Sequence, residues 1–459
     1  MAGLIELRRA AREIFAEALK SVDAGQALRR AVRLDGSRLS VLETTIDLTH
    51  GPSSIYAIAL GKAALPMAGA LGAILRERLT AGVLTGPLTP GARESAAVSL
   101  DALAFPERWR VFNGGHPLPN RQSLAAAEAA FALLRRADEE RALVLFLISG
   151  GGSAMLEWPR EEQTTVEELR AANRILISCG ATIREINAVR RAFSAVKGGG
   201  LAARAPRAAQ LSLIISDTGA NEPEAVASGP TFESPDATAE ASSVLERYRL
   251  EESLPAMIVR AVKRPPEQAA ALPTTALRKH FILLDNERAL QAAAAAARAR
   301  GFDVEIAREV SEQAVDEGCA VLLSRLSELH GRTEGSGRAA CLLSGGEFSC
   351  PVRGAGIGGR NAETALRLAI ELDAQAAGGR FPENTVALSA GTDGIDGNSP
   401  AAGAMVDTTT ARRARLLGLD ARQFLEASDA YTFFDALGDA IMTGMTGTNV
   451  RDLRIMLTG

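Results

Sequence analysis

Short apolar runs that end abruptly in small polar residues recur along this 459-residue chain. Several of them are followed by alanine- and leucine-rich segments whose apolar positions have helical spacing. Because the runs are apolar at every position, they are typical of strands that are covered on both faces. The pattern predicts an α/β fold with a largely parallel sheet. The clearest runs are residues 55–60, 143–148, 211–215, 341–343 and 385–390.

A polar loop follows each of these five runs. In parallel sheets ligands bind beyond the carboxyl ends of the strands. We therefore expect the five loops to converge on one crevice. They are Gly61-Lys62, Ser149-Gly150-Gly151-Gly152-Ser153, Ser216-Asp217-Thr218-Gly219, Ser344-Gly345-Gly346-Glu347 and Gly391-Thr392-Asp393-Gly394.

The length of the chain predicts two domains. A proline-rich stretch at residues 265–273 is the predicted boundary between them. Residues 281–306 read as a strand, an alanine-rich helix and a second strand. Thr165 with Glu168, and Thr182 with Glu185, have the spacing of capping boxes and predict helix starts.

Composition narrows the class of protein. The chain is 47% hydrophobic and 23% charged, as in globular proteins, and its net charge of -4 offers no basic surface for nucleic acid. No apolar run approaches the roughly 20 residues that span a bilayer. Residues 3–34 look like an amphipathic helix that could lie on a membrane, but interleaved Glu6, Glu13 and Glu17 disfavour this alternative. The four cysteines form no C-x-x-C pair, which predicts reduced thiols and a cytoplasmic enzyme.

Two glycine-rich loops are candidates for phosphate binding, because backbone N–H groups at helix starts attract anions. The first contains Ser149, Gly150, Gly151, Gly152 and Ser153. The second contains Gly358, Gly359, Arg360 and Asn361. Tight strand-to-helix turns would need the same glycines, so one such loop alone is weak evidence.

Lysine is rare: the chain has five lysines and 46 arginines. Two of the five, Lys62 and Lys197, adjoin glycine in the predicted ligand loops. A compact ammonium suits phosphate oxygens in a way that the planar fork of arginine does not copy. Chance placement is the alternative, and it is stronger for Lys197 than for Lys62.

Acidic residues on glycine-flanked loops form a further group: Asp217, Glu347, Asp393 and Asp396. Carboxylate oxygens suit Mg²⁺, and a carboxylate can orient a substrate hydroxyl. An Asx-turn is the alternative role, and it fits Asp396 better than Asp393.

Other catalytic signatures are missing. The four histidines show no metal-ligand spacing, and His116 could either contact substrate or stabilise a turn. The sequence contains no G-x-S-x-G elbow, no G-x-x-x-x-G-K-[ST] loop, and no G-x-G-x-x-G fingerprint with a ribose-binding acid.

As a set, the motifs resemble the glycerate 2-kinases whose C-terminal half is the MOFRL domain. The resemblance runs in the family's order from residue 57 to residue 453. The matching segments are Ala59-Leu-Gly-Lys-Ala-Ala64, Gly115-His-Pro-Leu-Pro119, Ile148-Ser-Gly-Gly-Gly-Ser-Ala154, Ile186-Asn-Ala-Val-Arg190, Ser194-Ala-Val-Lys-Gly-Gly199, Ser216-Asp217, Ala227-Ser-Gly-Pro-Thr231, Ser344-Gly-Gly-Glu347, Gly358-Gly-Arg-Asn361, Gly391-Thr-Asp-Gly-Ile-Asp-Gly397 and Thr446-Gly-Thr-Asn-Val450.

The resemblance implies a Rossmann-like N-terminal domain with a parallel sheet at residues 1–270. It implies a smaller α/β MOFRL domain at 271–435, with 436–459 packing back onto the first domain and an active cleft between domains. It also implies transfer of the γ-phosphoryl group of ATP to D-glycerate, giving 2-phosphoglycerate, with Mg²⁺ as cofactor.

The family's site positions fall on residues of this chain. Lys62, Arg360 and Asp393 match catalytic positions, and Glu347 and Asn449 match other binding positions. Asp217 matches a carboxylate near the metal and the phosphates, so Asp217 and Asp393 are the expected Mg²⁺ ligands.

Two segments depart from the family pattern. Ala220-Asn221 stands where the family usually has Gly-Asp, and Asn398-Ser399-Pro400 stands where it usually has Pro-Thr-Asp. Both adjoin ligand loops, so the metal affinity and the accepted acid stay open.

Two other functions compete with the kinase. A hydroxypyruvate reductase, a label attached to some members of this family, would need NAD(P)H, and the missing fingerprint opposes it. A non-catalytic binder of phosphorylated acids would not need Lys62, Arg360 and Asp393 together. We expect small-molecule substrates and neither nucleic acid nor membrane as partner, and a homodimer is left open.

Overall fold

The computed structural model describes residues 3–87, 103–219, 222–233, 238–264, 276–333, 338–376 and 384–459. The chain forms two compact units. One is Ala24–Leu284, and the other combines the residues up to Asp23 with Asp285–Gly459. The first helix, α1 (Leu4–Ser21), belongs to the second of these units.

The unit Ala24–Leu284 contains a small antiparallel sheet and a parallel sheet of six strands. The small sheet consists of β1 (Val32–Asp35), β2 (Arg38–Val41) and β3 (Thr44–Asp47). The parallel sheet consists of β4 (Ile55–Leu60), β5 (Leu79–Gly86), β6 (Trp109–Asn113), β7 (Leu143–Ser149), β8 (Ala209–Ile215) and β9 (Arg278–Leu284). The helices are α2 (Ala24–Ala31), α3 (Ala64–Leu75), α4 (Arg121–Glu139), α5 (Gly152–Met155), α6 (Val166–Ser178), α7 (Ile183–Phe193), α8 (Thr238–Arg247) and α9 (Ala256–Lys263).

The parallel sheet has the strand order β6-β5-β4-β7-β8-β9. From β4 the chain adds strands toward one edge of the sheet as far as β6, and from β7 it adds them toward the other edge. The strand order therefore reverses between β4 and β7, and this topological switch point is typical of Rossmann-like folds. Every residue of β4 and β7 is buried, which explains their uninterrupted apolar sequences. The predicted parallel α/β fold and Rossmann-like N-terminal domain are confirmed.

Both predicted capping boxes are present. The Thr165 side chain accepts a hydrogen bond from the Glu168 backbone at the start of α6, and Thr182 does the same for Glu185 at the start of α7. These helices begin where the local sequence signal placed them.

The second unit contains a mixed sheet with the strand order β10-β11-β15-β12-β13-β14. Its strands are β10 (Asp303–Ile306), β11 (Ala340–Gly346), β12 (Thr385–Gly391), β13 (Gly403–Asp407), β14 (Ala440–Ile441) and β15 (Asp452–Thr458). Besides α1 its helices are α10 (Asn286–Ala299), α11 (Val315–Thr333), α12 (Arg360–Ala376), α13 (Thr410–Leu416), α14 (Ala421–Glu426) and α15 (Ala430–Leu437). Among these strands only β10 and β11 pair in parallel, and the remaining pairs are antiparallel.

The predicted position of the C-terminal segment is wrong. Residues 436–459 belong to the same unit as the rest of the C-terminal half, and not to the unit Ala24–Leu284. Instead β15 lies in the middle of the second sheet, antiparallel to both β11 and β12. All seven residues of β15 are buried, so this strand completes the core of the unit to which its neighbours belong.

The predicted domain boundary is also displaced. The proline-rich stretch at 265–273 lies outside the described residues, and the division falls between Leu284 and Asp285. The reason is that β9 pairs with β8 and extends the parallel sheet. The strand–helix–strand segment at 281–306 is therefore divided, because β9 belongs to the first sheet and α10 and β10 belong to the second unit.

Helix α1 is the other correction to the predicted domains, since residues 1–270 were assigned to one domain. Its apolar face, which includes Leu7, Ile14 and Phe15, is buried, and the helix packs against α10 and β12. Arg8 forms ion pairs with Asp407 and Asp439. The apolar face is thus covered by protein and not by lipid. Among the described residues no helix is long and apolar enough to cross a membrane.

Candidate functional site

The Lys62 loop lies at the topological switch point of the parallel sheet, between β4 and β7. Lys62 follows β4, and its backbone N–H donates to the carbonyl oxygen of Gly150 after β7, at 2.8 Å. Gly61 has a φ of +106°, and a Cβ at this position would overlap the oxygens of Ser149. Only glycine allows this close approach, so the two predicted ligand loops are in direct contact. Lys62 itself is partly exposed.

Ser149 has a different role from the one predicted. Its hydroxyl is fully buried, donates to the carbonyl of Leu60 at 3.2 Å and accepts from the N–H of Ala63 at 3.0 Å. The side chain therefore holds the backbone on both sides of Gly61-Lys62. The sequence predicts that Ser149 binds ligand, but in the structure its hydroxyl is bonded inside the protein.

Asp217 and His116 lie against the same loop. A Cβ at Gly150 would overlap the Asp217 carboxylate, and a Cβ at Gly151 would come 3.1 Å from the ring of His116. Gly151 has a φ of +80° and precedes the short helix α5. Gly152 is buried against Leu60 and Ala227. The loop is therefore bordered by a carboxylate and an imidazole.

A chain of polar side chains supports Ser153, which is partly exposed. The Ser153 Oγ lies 3.0 Å from the Oγ of Ser228, and Ser228 donates to Oδ1 of buried Asn187 at 3.1 Å. Ala227 and Ser228 have φ values of +51° and +61°, which are costly for residues other than glycine. Sequence reasoning did not select Ser228 or Asn187, although both lie in family motifs.

Lys197 does not contact the candidate ligand loops in the way we predicted. Its side chain is only 1% exposed and forms an ion pair with Glu157, which is also buried. Glu157 in addition accepts from the Ser194 hydroxyl at 2.6 Å and from the N–H of Trp158 at 2.9 Å. Burial lowers the pKa of Lys197, and Glu157 opposes that shift. The placement beside glycine thus reflects a buried ion pair that holds the 194–199 loop.

In the second unit Arg360 is the first residue of α12 and contacts two carboxylates. Its Nε donates to Oδ2 of Asp452 at 2.6 Å, and its Nη2 donates to Oδ1 of Asp452 at 3.2 Å. Nη2 also lies 2.7 Å from Oε1 of Glu347. Burial alone would lower the pKa of Arg360, but Asp452 and Glu347 outweigh it and raise the pKa above its usual value. The guanidinium is therefore charged at every physiological pH.

Asp393 and Asn449 lie on loops that are bonded to each other. The N–H of Thr446 donates to the carbonyl of Asp393 at 3.2 Å, and Thr392 Oγ1 donates to the carbonyl of Arg451 at 2.6 Å. Asp393 Oδ1 accepts from the N–H of Ile395 at 3.2 Å, which is the turn-stabilising bond that we weighed as an alternative. Asn449 makes a similar local bond to the N–H of Arg451. Asp393 is partly exposed, so its carboxylate is accessible from outside the fold.

The predicted phosphate loop at the start of α12 is occupied by the protein's own side chains. The N–H groups of Asn361 and Ala362 donate to the buried carboxylate of Asp396 at 3.0 and 2.8 Å. The N–H of Gly358 donates to Oδ1 of Asn398 at 2.8 Å. The Asp396 carboxylate thus takes two of the N–H groups at the positive end of this helix, and these two groups are not available to a phosphate.

Two further predicted residues of this segment also serve the fold. Asn361 is buried, and its Oδ1 accepts from the Ser389 hydroxyl at 2.7 Å. A Cβ at Gly359 would overlap Asp396, so this glycine gives the carboxylate access to the helix. The Asp396 carboxylate therefore caps the start of α12, which is distant in sequence. The sequence had favoured an Asx-turn within residues 393–397 as its role.

Asp217 and Asp393 were the predicted Mg²⁺ ligands, and they belong to different units. Within the described part of the chain no group of three or more histidine, cysteine or acidic side chains could hold a metal ion. Mg²⁺ commonly takes one or two carboxylates, with phosphates and water as its other ligands. A single carboxylate beside a glycine-rich loop, as Asp217 is, fits that mode of binding.

Comparisons with known proteins agree with the motifs. Residues 10–263 match the model of a domain of unknown function, DUF4147, and residues 340–452 match the MOFRL family. The glycerate kinase of Homo sapiens is 35% identical, over 99% of this chain and 94% of the relative. The chain belongs to the glycerate kinase family.

Other members of the family agree in both sequence and structure. The D-glycerate 2-kinase of Thermotoga maritima is 33% identical, over 88% of this chain and 90% of the relative. A crystal structure of glycerate kinase from the same organism superimposes with a TM-score of 0.78 at 29% identity, covering 99% of this chain and all of that one. The resemblance predicted from the motifs is thus confirmed over nearly the whole chain.

One departure from the family pattern has a structural consequence here. Asn398 holds Gly358 through its Oδ1, and its Nδ2 donates to the carbonyl of Gly356 at 3.2 Å. The residue therefore fixes the loop before Arg360. The other departure, Ala220-Asn221, lies outside the described residues.

Proposed function

We propose that this chain transfers the γ-phosphoryl group of ATP to the C2 hydroxyl of D-glycerate, giving 2-phosphoglycerate and ADP. One observation carries the proposal: the Lys62 loop and Asp217 both lie against Gly150, at the topological switch point of the parallel sheet. This is the position at which folds of this kind bind nucleotides and other ligands. The names of the relatives, glycerate kinase and D-glycerate 2-kinase, supply the substrate.

The reaction requires positive charge and correct placement more than covalent chemistry. The glycerate hydroxyl oxygen forms a bond to the γ-phosphorus, and the bond from that phosphorus to the bridging oxygen breaks, leaving its electron pair on ADP. We assign Lys62 and Arg360 to the negative charge that develops on the phosphoryl oxygens. We assign Asp393 to the proton that the hydroxyl gives up.

Asp217 is the residue that we propose for Mg²⁺. When bound to phosphate oxygens, Mg²⁺ would offset their charge and favour one arrangement of the nucleotide. Asp217 would provide a carboxylate oxygen beside the backbone of Gly150. Serine, lysine and glycine residues around the loop would then bind the phosphates through N–H, O–H and ammonium donors.

We retain Ser153, Gly150, Gly151 and Gly152 as proposed ligand contacts, together with Glu347 and Asn449. Ser149, Lys197, Gly358 and Asn361 are withdrawn from that role, since their polar groups serve the fold. Gly359 is withdrawn because it makes room for the Asp396 carboxylate. A cytoplasmic location and a homodimer remain predictions from the sequence.

An assay of ADP release with D-glycerate and Mg-ATP tests the proposal, run beside an assay of NADH oxidation with hydroxypyruvate. We expect ADP release that depends on glycerate, and no NADH oxidation. Lys62→Ala protein prepared in the same way controls for contaminating kinases. NADH oxidation without ADP release would replace the kinase with the hydroxypyruvate reductase, and binding of phosphorylated acids without either activity would favour a non-catalytic binder.

A further inference from the structure

Asp452 is a buried carboxylate that the sequence did not single out. It is the first residue of β15 and lies opposite Gly346 of β11 and Gly391 of β12. The loops after those two strands carry Glu347 and Asp393. The Asp452 side chain is 2% exposed and accepts two hydrogen bonds from one edge of the Arg360 guanidinium. Such side-on pairing fixes the plane of a guanidinium as well as its position.

The contacts of Arg360 divide its donors into two groups. Nε and Nη2 are bonded to Asp452, and Nη2 also contacts Glu347. Among the described residues Nη1 has no hydrogen-bond partner, and 36% of the side chain is exposed. The carboxylate therefore leaves one end of the guanidinium, with two N–H donors, for another group.

Two further side chains, buried Arg454 and partly buried Asn286, hold the strand ends that carry Asp452 and precede Glu347. Arg454, two residues along β15, donates to the carbonyls of Gly345 and Gly346 and stacks on Phe348, its guanidinium carbon 3.6 Å from the ring centroid. Asn286 donates to the carbonyl of Asp452 at 3.1 Å and accepts from the N–H of Gly346 at 3.1 Å. The strand ends behind Arg360 are thus braced by hydrogen bonds on both sides.

We propose that Asp452 is a positioning residue, which directs the Nη1 end of Arg360 toward the transferred phosphoryl group. This inference rests on the proposed kinase function and names a residue that acts through Arg360 without touching substrate. A guanidinium on a flexible stem would otherwise sample many orientations, and misplacement by about 1 Å can cost a hundredfold in rate. The negative charge of Asp452 offsets part of the positive charge that Arg360 could present to a phosphate, and this is the cost of the fixed geometry.

A double-mutant cycle tests the role. We expect Asp452→Asn to lower kcat about 10- to 100-fold while the KM values change little, because the side-on pair is lost and the bulk is kept. In the Arg360→Ala background the same substitution should have almost no further effect on kcat, since the group that it orients is gone. Asp452→Glu, which retains the charge, should recover part of the loss.

Asp439→Asn is the matched control. Asp439 is another buried carboxylate of the same unit, and it pairs with Arg8 and Arg413. We expect this variant to lower the thermal unfolding midpoint to a similar degree and to keep the wild-type kcat. Thermal unfolding followed by circular dichroism shows which variants are folded at the assay temperature.

The outcomes separate the inference from the function on which it rests. If Asp452→Asn lowered kcat equally in the wild-type and the Arg360→Ala backgrounds, the positioning role would be overturned, and the proposed kinase function would still stand. An unchanged kcat in folded Asp452→Asn protein would do the same. A wild-type chain that releases no ADP with glycerate would contradict the proposed function, and the positioning role with it.

Discussion

Lys62 and Lys197 were selected by the same argument, that a chain with five lysines and 46 arginines places lysine for a reason. The structure separates them. The Lys62 side chain is partly exposed on a loop bonded to Gly150, whereas the Lys197 ammonium is buried with Glu157. The sequence could not distinguish the two, because Glu157 is 40 residues away from its partner and lies in no motif.

Substitution of Lys62 by arginine is expected to impair the reaction although the charge is kept. A guanidinium is longer and planar, so it would displace the nucleotide or the acid from in-line geometry. We expect Lys62→Arg and Lys62→Ala to lower the rate by roughly 10²–10⁴. The loss should fall on kcat if Lys62 acts on the transferred group, and on KM if it only anchors substrate.

Steady-state kinetics of ADP release measure this effect. Lys263→Arg is the matched control, because Lys263 is an exposed lysine that pairs with Glu251 on the surface. It should keep wild-type kinetics. Near-normal kcat and KM in both Lys62 variants would show that the candidate site is misplaced.

At the scale of single elements, the loop after β7 can be tested through Gly150. A Cβ there would overlap the Asp217 carboxylate, so Gly150→Ala must move one of the two. We expect a fall in kcat/KM of at least about tenfold, equivalent to about 1.4 kcal/mol, with the fold retained.

Gly219→Ala controls for the loss of a loop glycine two residues after Asp217, since no atom of the described residues would lie within 4 Å of a Cβ at Gly219. Circular dichroism and steady-state kinetics of the two variants give the comparison. Equal activities would mean that the contact between Gly150 and Asp217 has no part in catalysis.

The buried pair of Glu157 and Lys197 predicts a large effect on stability. Glu157→Gln leaves an ammonium without a charged partner inside the protein, and we expect a loss of about 3–5 kcal/mol in the free energy of unfolding. Glu157→Gln combined with Lys197→Met removes both charges and should recover much of that loss.

Urea unfolding followed by circular dichroism measures these changes. Glu17→Gln is the control, because Glu17 forms an exposed pair with Lys20 and its loss should not move the unfolding midpoint. If Glu157→Gln were as stable as the wild-type chain, the pair would contribute nothing to the fold.

The elements that were predicted correctly carry their signal locally. The buried runs of β4 and β7 and the capping boxes of α6 and α7 are readable from adjacent residues. The start of α12 was misread because its capping residue, Asp396, lies 35 positions away in sequence. Asp452 was missed for the same reason, since its partner Arg360 is 92 positions away.

At the scale of the whole molecule, the motifs identified the family but not the division of the chain. Helix α1 joins the C-terminal unit, β9 joins the N-terminal sheet, and β15 lies at the centre of the second sheet. Each assignment depends on which partner buries an apolar face, and the sequence of one element does not state its partner. The proline-rich stretch was a weaker guide than the pairing of β8 with β9.

Phosphorus NMR of the complete reaction is the most direct test of the account. The chain is mixed with ATP, Mg²⁺ and D-glycerate, and the signals are followed over time. We predict that the γ-phosphate signal of ATP falls while a phosphomonoester signal rises as a doublet, because the phosphate of 2-phosphoglycerate couples to the one proton on C2. A signal coupled to two protons would place the phosphate on the terminal carbon. Persistence of ATP with no phosphomonoester formed, in a protein shown to be folded, would contradict the claim that this chain is a glycerate kinase.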